Sequence, residues 1–100
     1  MANHTLGFHP LAREEVREAY QFYESRKSGL GDLFFRSLDD LFLQILDNPN
    51  LYPQDFETIR KAPLRKFPFT VYYEVIDDQV LVYSVFHQKR NPEEWLGRVQ

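Results

Sequence analysis

The chain has 100 residues, of which 43% are hydrophobic, 16% aromatic and 27% charged. That length suits one domain spanning residues 1–100, and the apolar share excludes a disordered chain, a collagen and a coiled coil. A net charge of -3 speaks against sequence-blind binding of nucleic acid, while the lack of cysteine excludes disulfides, thiolate nucleophiles and zinc ribbons. Because no apolar run approaches the ~20 residues of a membrane span, we expect a cytoplasmic protein without membrane contact.

The first elements predicted are a short strand and a helix. Leu6 and Phe8 alternate with small neighbours, which is typical of a strand. Apolar residues then recur every three or four positions over residues 11–26, so one face of a helix is apolar. Pro10 suits the first turn of that helix, and His9 is the predicted N-cap.

A second and longer helix follows after a glycine-containing link. Apolar side chains keep helical phase from Leu30 to Leu46, and Asp32 is the predicted cap. Asn48 and Pro49 end the helix, because proline cannot continue the helical hydrogen bonding and disfavours helix in the residue before it. Two such helices with a short link predict a helical hairpin.

The second half of the chain predicts strands. Residues 50–64 form a surface connection with one short strand near residues 58–61. Two stretches that alternate in hydrophobicity then flank Asp77 and Asp78, which predicts a β-hairpin with a tight turn.

The register that this turn sets sorts the side chains of the two strands into two faces. One face receives Tyr72 opposite Tyr83, together with Thr70, and His87 lies there opposite Pro68. The other face is apolar and should pack on the helical hairpin; its members are Phe69, Val71, Tyr73, Val75, Val80, Val82, Ser84 and Phe86. The predicted fold is therefore α+β in two layers, with an N-terminal strand, the helical hairpin and a C-terminal antiparallel sheet whose second face is open.

Four polar or aromatic residues follow the last long strand and form the first candidate site. They are His87, Lys89, Arg90 and Trp95. A histidine beside two fixed cations can move protons or stabilise negative charge on a phosphate, as metal-free RNA cleavage requires. A half-buried ring with two solvated cations explains the same residues equally well, so the sequence leaves both interpretations open.

A second candidate surface combines aromatic and basic residues. Tyr72 and Tyr83 could stack on nucleic-acid bases, although a sheet-stabilising aromatic pair is the commoner role of such residues. A basic cluster could hold phosphate or be an ordinary solvated loop, and it consists of Arg60, Lys61, Arg65 and Lys66.

The remaining titratable groups predict no site. Two carboxylate clusters have the spacing of solvated helix faces: Glu14, Glu15 and Glu18, and then Asp39 and Asp40. His4 and His9 have no metal-ligand partner at useful spacing. We therefore expect neither a metal nor a cofactor.

A resemblance to a known family rests on the segment LRKFPFTVYYEVIDDQVLVYSVFHQKRNPEEW. Its most specific part is a basic residue before FPF, a strand with two tyrosines, an Asp turn, a second apolar strand, His-x-x-Arg and a downstream aromatic residue. With the preceding strand and helical hairpin, this combination resembles the RelE/ParE superfamily, the toxins of bacterial type II toxin-antitoxin pairs. The resemblance covers nearly the whole chain and implies a RelE/ParE-like fold.

The resemblance implies one of two modes of action. RelE-like members cleave mRNA in the ribosomal A site without a metal, whereas ParE-like members bind DNA gyrase and carry out no chemistry of their own. Carried over by position, Arg65, His87 and Arg90 match polar residues common in the superfamily. In the RelE-like mode His87 would be the general acid or base, and the two arginines would hold the scissile phosphate.

Departures from the superfamily pattern favour the ParE-like mode. Thr70 stands where ribonucleolytic members usually carry an arginine. Trp95 lies near where several carry a tyrosine, and an indole has no proton to exchange at neutral pH. The prediction is a toxin that arrests growth by binding gyrase. The alternatives are RelE-like cleavage and a single-strand RNA-binding module that uses Tyr72 and Tyr83.

The resemblance also implies a small cognate antitoxin as partner. An apolar groove beside the helical hairpin or an open sheet edge would accept a helix or a strand from it. We expect this antitoxin to be acidic and partly disordered, so that it shields the basic residues. The target would be DNA gyrase or the ribosome with its mRNA.

Overall fold

A computed structural model describes residues 4–91 and 93–99 of the chain. Its elements are β1 (Thr5–Phe8), α1 (Pro10–Arg26), α2 (Leu30–Asp47), β2 (Gln54–Phe56), β3 (Ile59–Pro63), β4 (Phe69–Ile76), β5 (Gln79–His87) and α3 (Glu93–Leu96). The strands form one sheet in the order β1-β5-β4-β3-β2, in which β1 runs parallel to β5 and the other neighbours are antiparallel. The predicted α+β fold is confirmed.

The first helix begins where the sequence predicts. The His9 Nδ1 accepts a hydrogen bond from the Leu11 N–H at 3.1 Å, so the histidine is the N-cap, and Pro10 occupies the first turn. The helix ends at Arg26, whose cation suits the negative end of the helix dipole. Ala12 and Ala19 are its buried residues, and small side chains there allow close approach to the sheet.

The second helix begins two residues before the predicted cap, so the assignment of Asp32 as the cap is wrong. Gly29 precedes the helix with a φ of 90°, a left-handed conformation that glycine adopts without strain. The Glu24 carboxylate accepts hydrogen bonds from the N–H groups of Gly29 at 2.9 Å and Gly31 at 3.0 Å. A carboxylate on α1 therefore satisfies the free N–H groups at the start of α2.

A cluster of buried side chains joins the helical hairpin (α1 and α2) to one face of the sheet, called the hairpin side below. Phe34, at 0% exposure, lies 5.3 Å from both Phe67 and Phe69 between ring centroids, in edge-to-face geometry. Burying one such side chain contributes roughly 2–3 kcal/mol. The sheet supplies Val71, Tyr73, Val80, Val82 and Val85 to this cluster.

The predicted register of the β4–β5 hairpin holds only near its turn. Tyr73 pairs with Val82 as predicted, but Tyr72 pairs with Ser84 instead of Tyr83. Tyr83 is therefore the extra residue of a β-bulge, and the predicted cross-strand pairing of the two tyrosines is wrong.

Beyond the bulge, the side chains of β5 lie on the opposite faces from those predicted. Val85 belongs to the hairpin-side cluster, and Phe86 packs on the other face. His87 pairs with Phe69, whereas the sequence predicted Pro68. Hydrophobic alternation could not reveal this shift, because Val85 and Phe86 are adjacent and both apolar.

The remaining connection contains more strand than the sequence predicts. The short strand expected near residues 58–61 is β3, and it is preceded by β2, for which no periodic signal exists. The turn between them places Glu57 at a φ of 51°. Within the described part of the chain, no helix combines the length and apolar character that crossing a membrane requires.

Candidate functional site

The last residue of β5 and the polar residues after it form a tight turn, and we call His87, Lys89 and Arg90 the strand-end group. The Nδ1 of His87 accepts a hydrogen bond from the Lys89 N–H at 3.1 Å, and the Arg90 N–H donates to the His87 carbonyl at 3.1 Å. The imidazole is half-buried and lies 5.2 Å from the Phe69 ring. One ring nitrogen of the predicted acid or base is therefore already used in holding the turn.

The guanidinium of Arg90 is held by two neighbours. It pairs with Glu94 of α3 at 2.7 Å, and its carbon lies 4.4 Å from the centre of the Phe86 ring. About half of the Arg90 side chain remains exposed. The cation can therefore still contact an anion, in competition with Glu94.

The basic residues of the link between β3 and β4 lie near the strand-end group. The Gln88 N–H donates to the Pro68 carbonyl at 2.8 Å, which brings residues 64–68 against the turn after β5. Arg65 and Lys66 lie in this link and are exposed. Within the described ranges, neither an ion pair nor a side-chain hydrogen bond joins Arg65 to His87 or Arg90.

The other half of the predicted basic cluster lies away from this end of the sheet. Arg60 on β3 donates to the Tyr52 carbonyl at 2.6 Å and to the Asn50 carbonyl at 3.3 Å, so it fastens the connection after α2. Lys61 is exposed on the same strand and pairs with Tyr72 across the sheet. The cluster that is continuous in sequence is thus divided in the fold.

The face of the sheet turned away from the hairpin, called the second face, is covered, and the prediction that its tyrosines are open to solvent is wrong. Trp95 of α3 lies against Tyr72, with 4.3 Å between ring centroids. Tyr72 is 8% exposed, Tyr83 4% and Trp95 1%. These three rings, with Ile59 and Phe86, form a second buried cluster, so they offer no surface on which bases could stack.

Burial also changes the pKa of the two tyrosines on this face. Burial, followed by a hydrogen bond to Glu74, raises the pKa of Tyr83 to about 12. The Tyr83 hydroxyl donates to Glu74 at 2.7 Å, and the Thr58 hydroxyl contacts the other oxygen of the same carboxylate. Burial also raises the pKa of Tyr72. Neither phenol can lose its proton near neutral pH, so neither can serve as a base there.

Thr70 occupies an enclosed position on the same face. It is 2% exposed and pairs with Phe86 on β5 and with Pro63 on β3. An arginine at this position would have to displace neighbouring side chains to reach solvent.

A buried ion pair that the sequence analysis missed joins the C-terminal segment (residues 93–99) to α1. Both terminal nitrogens of the Arg98 guanidinium contact the Glu15 carboxylate, at 2.8 and 3.0 Å, and each side chain is only 13% exposed. Glu15 Oε1 also accepts from the Ser84 hydroxyl at 2.9 Å and the Val85 N–H at 3.1 Å, and Arg98 donates to the Tyr83 carbonyl at 3.0 Å. The spacing of Glu14, Glu15 and Glu18 predicts a solvated helix face, which is wrong for Glu15, and no spacing rule connects Glu15 to a residue as distant in sequence as Arg98.

A groove of about 980 Å³ lies beside the helical hairpin, which is one of the two places where the sequence predicts that a partner could bind. Its apolar lining comes from β1, α1 and α2 and includes Leu6, Phe8, Val16 and Phe42. Phe35 lines it too, remains 52% exposed and packs on Tyr20 with 5.4 Å between ring centroids. Half-exposed aromatic side chains of this kind mark a surface that a partner can cover.

Charged side chains surround the apolar lining of this groove. Three are cations, Arg13, Arg17 and Arg36, and two are anions, Asp32 and Asp39. Asp32 accepts a hydrogen bond from the Tyr20 hydroxyl at 3.0 Å. Arg17 is paired with Glu14, so Arg13 and Arg36 are the rim cations for which the described residues provide no ion pair.

The described residues contain no group of three or more histidine, aspartate or glutamate side chains that could hold a metal ion.

Comparison with known families identifies the chain. The family model described as "ParE toxin of type II toxin-antitoxin system, parDE" matches residues 6–92. The chain belongs to this family. It is thus a toxin of the type II toxin-antitoxin class, as the resemblance to the RelE/ParE superfamily implied. No curated protein sequence matches it.

Solved structures of related toxins share the fold of this ParE-family protein at low sequence identity. A chromosomal ParDE system from P. aeruginosa matches with a TM-score of 0.63 and 13% identity over 85% of this chain and 96% of that chain. A double arginine mutant of E. coli toxin RelE in the free state gives 0.71 and 22% over 100% of both chains. The same mutant with a peptide of its antitoxin, RelBc, gives 0.66 and 22% over 98% of this chain and 96% of that chain.

Proposed function

We propose that this ParE-family toxin arrests growth by binding DNA gyrase and does not cleave RNA. The observation that carries the proposal is the closed second face of the sheet, where Trp95 packs on Tyr72 and both are buried. RelE-like cleavage would use basic residues on this face, and Thr70 is enclosed there in place of an arginine. A binding mode needs no base and no exposed catalytic surface.

The geometry of the strand-end group supports the same proposal. His87 lies on the hairpin side against Phe69, and its Nδ1 is engaged in the turn. Arg90 is paired with Glu94. A general base and a phosphate-binding cation work best when both are directed at one reacting group. Here His87 is held by the turn, and Arg90 is held by Glu94.

RelE-like cleavage remains the second candidate function, because one observation favours it. The hydrogen bond from Gln88 to Pro68 brings the link that carries Arg65 to the same end of the sheet as His87 and Arg90. Exposed cations from two loops at one end of a sheet can hold a phosphodiester.

A reconstituted translation reaction tests this proposal against the alternative. In that reaction the purified toxin should leave ribosome-bound mRNA intact. In cells, induction of the His87→Ala or Arg90→Ala variant should reduce colony survival as strongly as induction of the wild type. Cleavage of the transcript within codons, lost in His87→Ala, would overturn the proposal. Lys27→Ala, on the exposed link between the helices, is the matched control for removing a surface residue.

We further infer that a cognate antitoxin covers the groove beside the hairpin. The apolar lining suits the apolar face of a helix, and Arg13 and Arg36 of the rim suit Asp and Glu residues flanking it. A short reading frame encoding an acidic protein is expected next to this one. In calorimetric titrations with that protein, Arg13→Glu combined with Arg36→Glu should weaken binding at least about 10-fold, whereas Lys61→Glu on β3 should not. If the double arginine variant and Lys61→Glu bind the antitoxin with equal affinity, the groove is not the binding site.

A further inference from the structure

The β-bulge in β5 lies where the strand loses its neighbour on one edge. Pairing with β1 ends at Phe8 and Val82, followed by one hydrogen bond of 2.8 Å from the His9 N–H to the Val82 carbonyl. Beyond this point no described strand covers the edge of β5. The Tyr83 carbonyl and the Val85 N–H contact Arg98 and Glu15 instead.

Two registers of β5 fit the apolar pattern, and they differ in the side chains that face the hairpin. In the bulged register of the structure, Val85 lies on the hairpin side and Phe86 on the second face. A register without the bulge would exchange them, because side chains alternate along a strand. Both are apolar, and both faces are buried. The free energy of burying these two side chains therefore differs little between the two registers.

Polar contacts to Glu15 distinguish the registers more strongly. Its carboxylate accepts from the Ser84 hydroxyl and the Val85 N–H, which are consecutive residues directly after the bulge. A regular strand would turn the Val85 N–H toward the other edge, away from α1. The Glu15 carboxylate, which is only 13% exposed, would then lose the Val85 N–H as a donor. Because a buried acceptor without its donor costs free energy, this loss makes the regular register less stable.

We propose that Glu15 is the positioning residue that selects the bulged register of β5 and so fixes the side of the sheet on which His87 lies. With the bulge, His87 lies beside Phe69 and lines a cavity of about 170 Å³ with Ala19 and Glu18 of α1. Without it, the imidazole would turn to the second face, toward α3. This proposal is independent of whether the target is gyrase or the ribosome.

Nuclear magnetic resonance on the full chain tests the proposal through contacts between strands. The bulged register brings Val71 opposite Val85, and the regular register brings Thr70 opposite Val85. We expect the Val71–Val85 contact in the wild type, in Glu15→Gln, which retains an acceptor oxygen, and in the control Glu14→Ala. We expect the Thr70–Val85 contact in Glu15→Ala. Glu14 is an apt control because it is the neighbouring carboxylate and, among the described residues, forms its ion pair with the exposed Arg17.

Two further variants decide the case if Glu15→Ala does not fold. Glu15→Gln should exchange its Val85 amide proton about tenfold faster than the wild type, because the bond to a neutral amide is weaker than that to a carboxylate, with no change near the Asp77–Asp78 turn. Arg98→Ala should keep the Val71–Val85 contact, since Glu15 is intact. The proposal is overturned by an unshifted register in folded Glu15→Ala, by unchanged Val85 exchange in Glu15→Gln, or by a shifted register in Arg98→Ala.

Discussion

The two faces of the sheet are both buried, but by segments of very different size. On the hairpin side, α1 and α2 contribute long apolar stripes that cover the strands with many side chains, including Phe34. On the second face, the four-residue helix α3 and the residues after it provide the cover, chiefly through Trp95. The hairpin side therefore depends on many contacts from two long helices, whereas the second face depends on a few side chains of one short segment, chiefly Trp95.

The largest expected effect is the loss of a central ring from either face. Phe34→Ala should lower the free energy of unfolding by about 4 kcal/mol, and Trp95→Ala by about 3 kcal/mol, because a short terminal helix can adjust around the gap more easily than a hairpin can. Urea unfolding followed by circular dichroism measures both values. A loss below about 1 kcal/mol for Trp95→Ala would mean that α3 does not close the second face in solution.

The next prediction compares the loss of stability on breaking a buried ion pair with that on breaking an exposed one. Arg98→Ala should cost about 2 kcal/mol, because it leaves the Glu15 carboxylate largely buried without its cation. Arg17→Ala breaks the pair with Glu14, whose side chains are 60% and 47% exposed, and should cost less than about 0.5 kcal/mol. Thermal unfolding of the two variants in the same buffer gives the comparison. Equal losses would contradict the assigned role of Arg98.

The features that the sequence predicted correctly depend on local or periodic signals. His9 caps α1, Asn48 ends α2, and the Asp77–Asp78 turn joins the long strands, because each acts on its own neighbours in the chain. The apolar stripe of α2 repeats often enough to be recognised, and it packs on the sheet as predicted. In the candidate site, the sequence predicted that His87, Lys89 and Arg90 lie at the end of the last long strand, and the structure adds the groups that contact them.

The features that the sequence could not predict depend on contacts between distant residues. Glu24 caps α2 from another helix, and Glu15 receives Arg98 from the far end of the chain. Neither contact has a spacing signature. The position of the bulge follows from the contact with Glu15, and for that reason the predicted pairing of Tyr72 with Tyr83 was wrong. The helix that buries those tyrosines is too short to produce a periodic pattern.

A smaller effect concerns the packing of the two helices of the hairpin. Gly31→Ala should destabilise the protein by about 1–2 kcal/mol, because the added Cβ would lie 2.9 Å from the backbone carbonyl of Tyr20. Gly97→Ala is the matched control, since its Cβ would have no neighbour within 4 Å. Its stability should remain within about 0.5 kcal/mol of the wild type. A Gly31→Ala variant as stable as this control would show that the two helices can move apart without loss of stability.

Removal of the Tyr83 hydroxyl is also a small effect at neutral pH and should change stability by less than about 1 kcal/mol. Its consequence is larger in alkali. Burial raises the pKa of Tyr83 to about 12 from 10.0, so the unfolded chain loses this proton before the folded one does. Stability should be intact below pH 10 and fall between about pH 10 and 12. Tyr83→Phe should show a smaller fall over that interval, and identical pH profiles would contradict the burial of this phenol.

Breakage of DNA by purified gyrase tests the proposed binding mode most directly. With gyrase, ATP and supercoiled plasmid, increasing amounts of this toxin should produce linear DNA with gyrase attached, and the yield should be unchanged in His87→Ala. Intact plasmid at every toxin concentration, from protein that still arrests growth, would contradict the account.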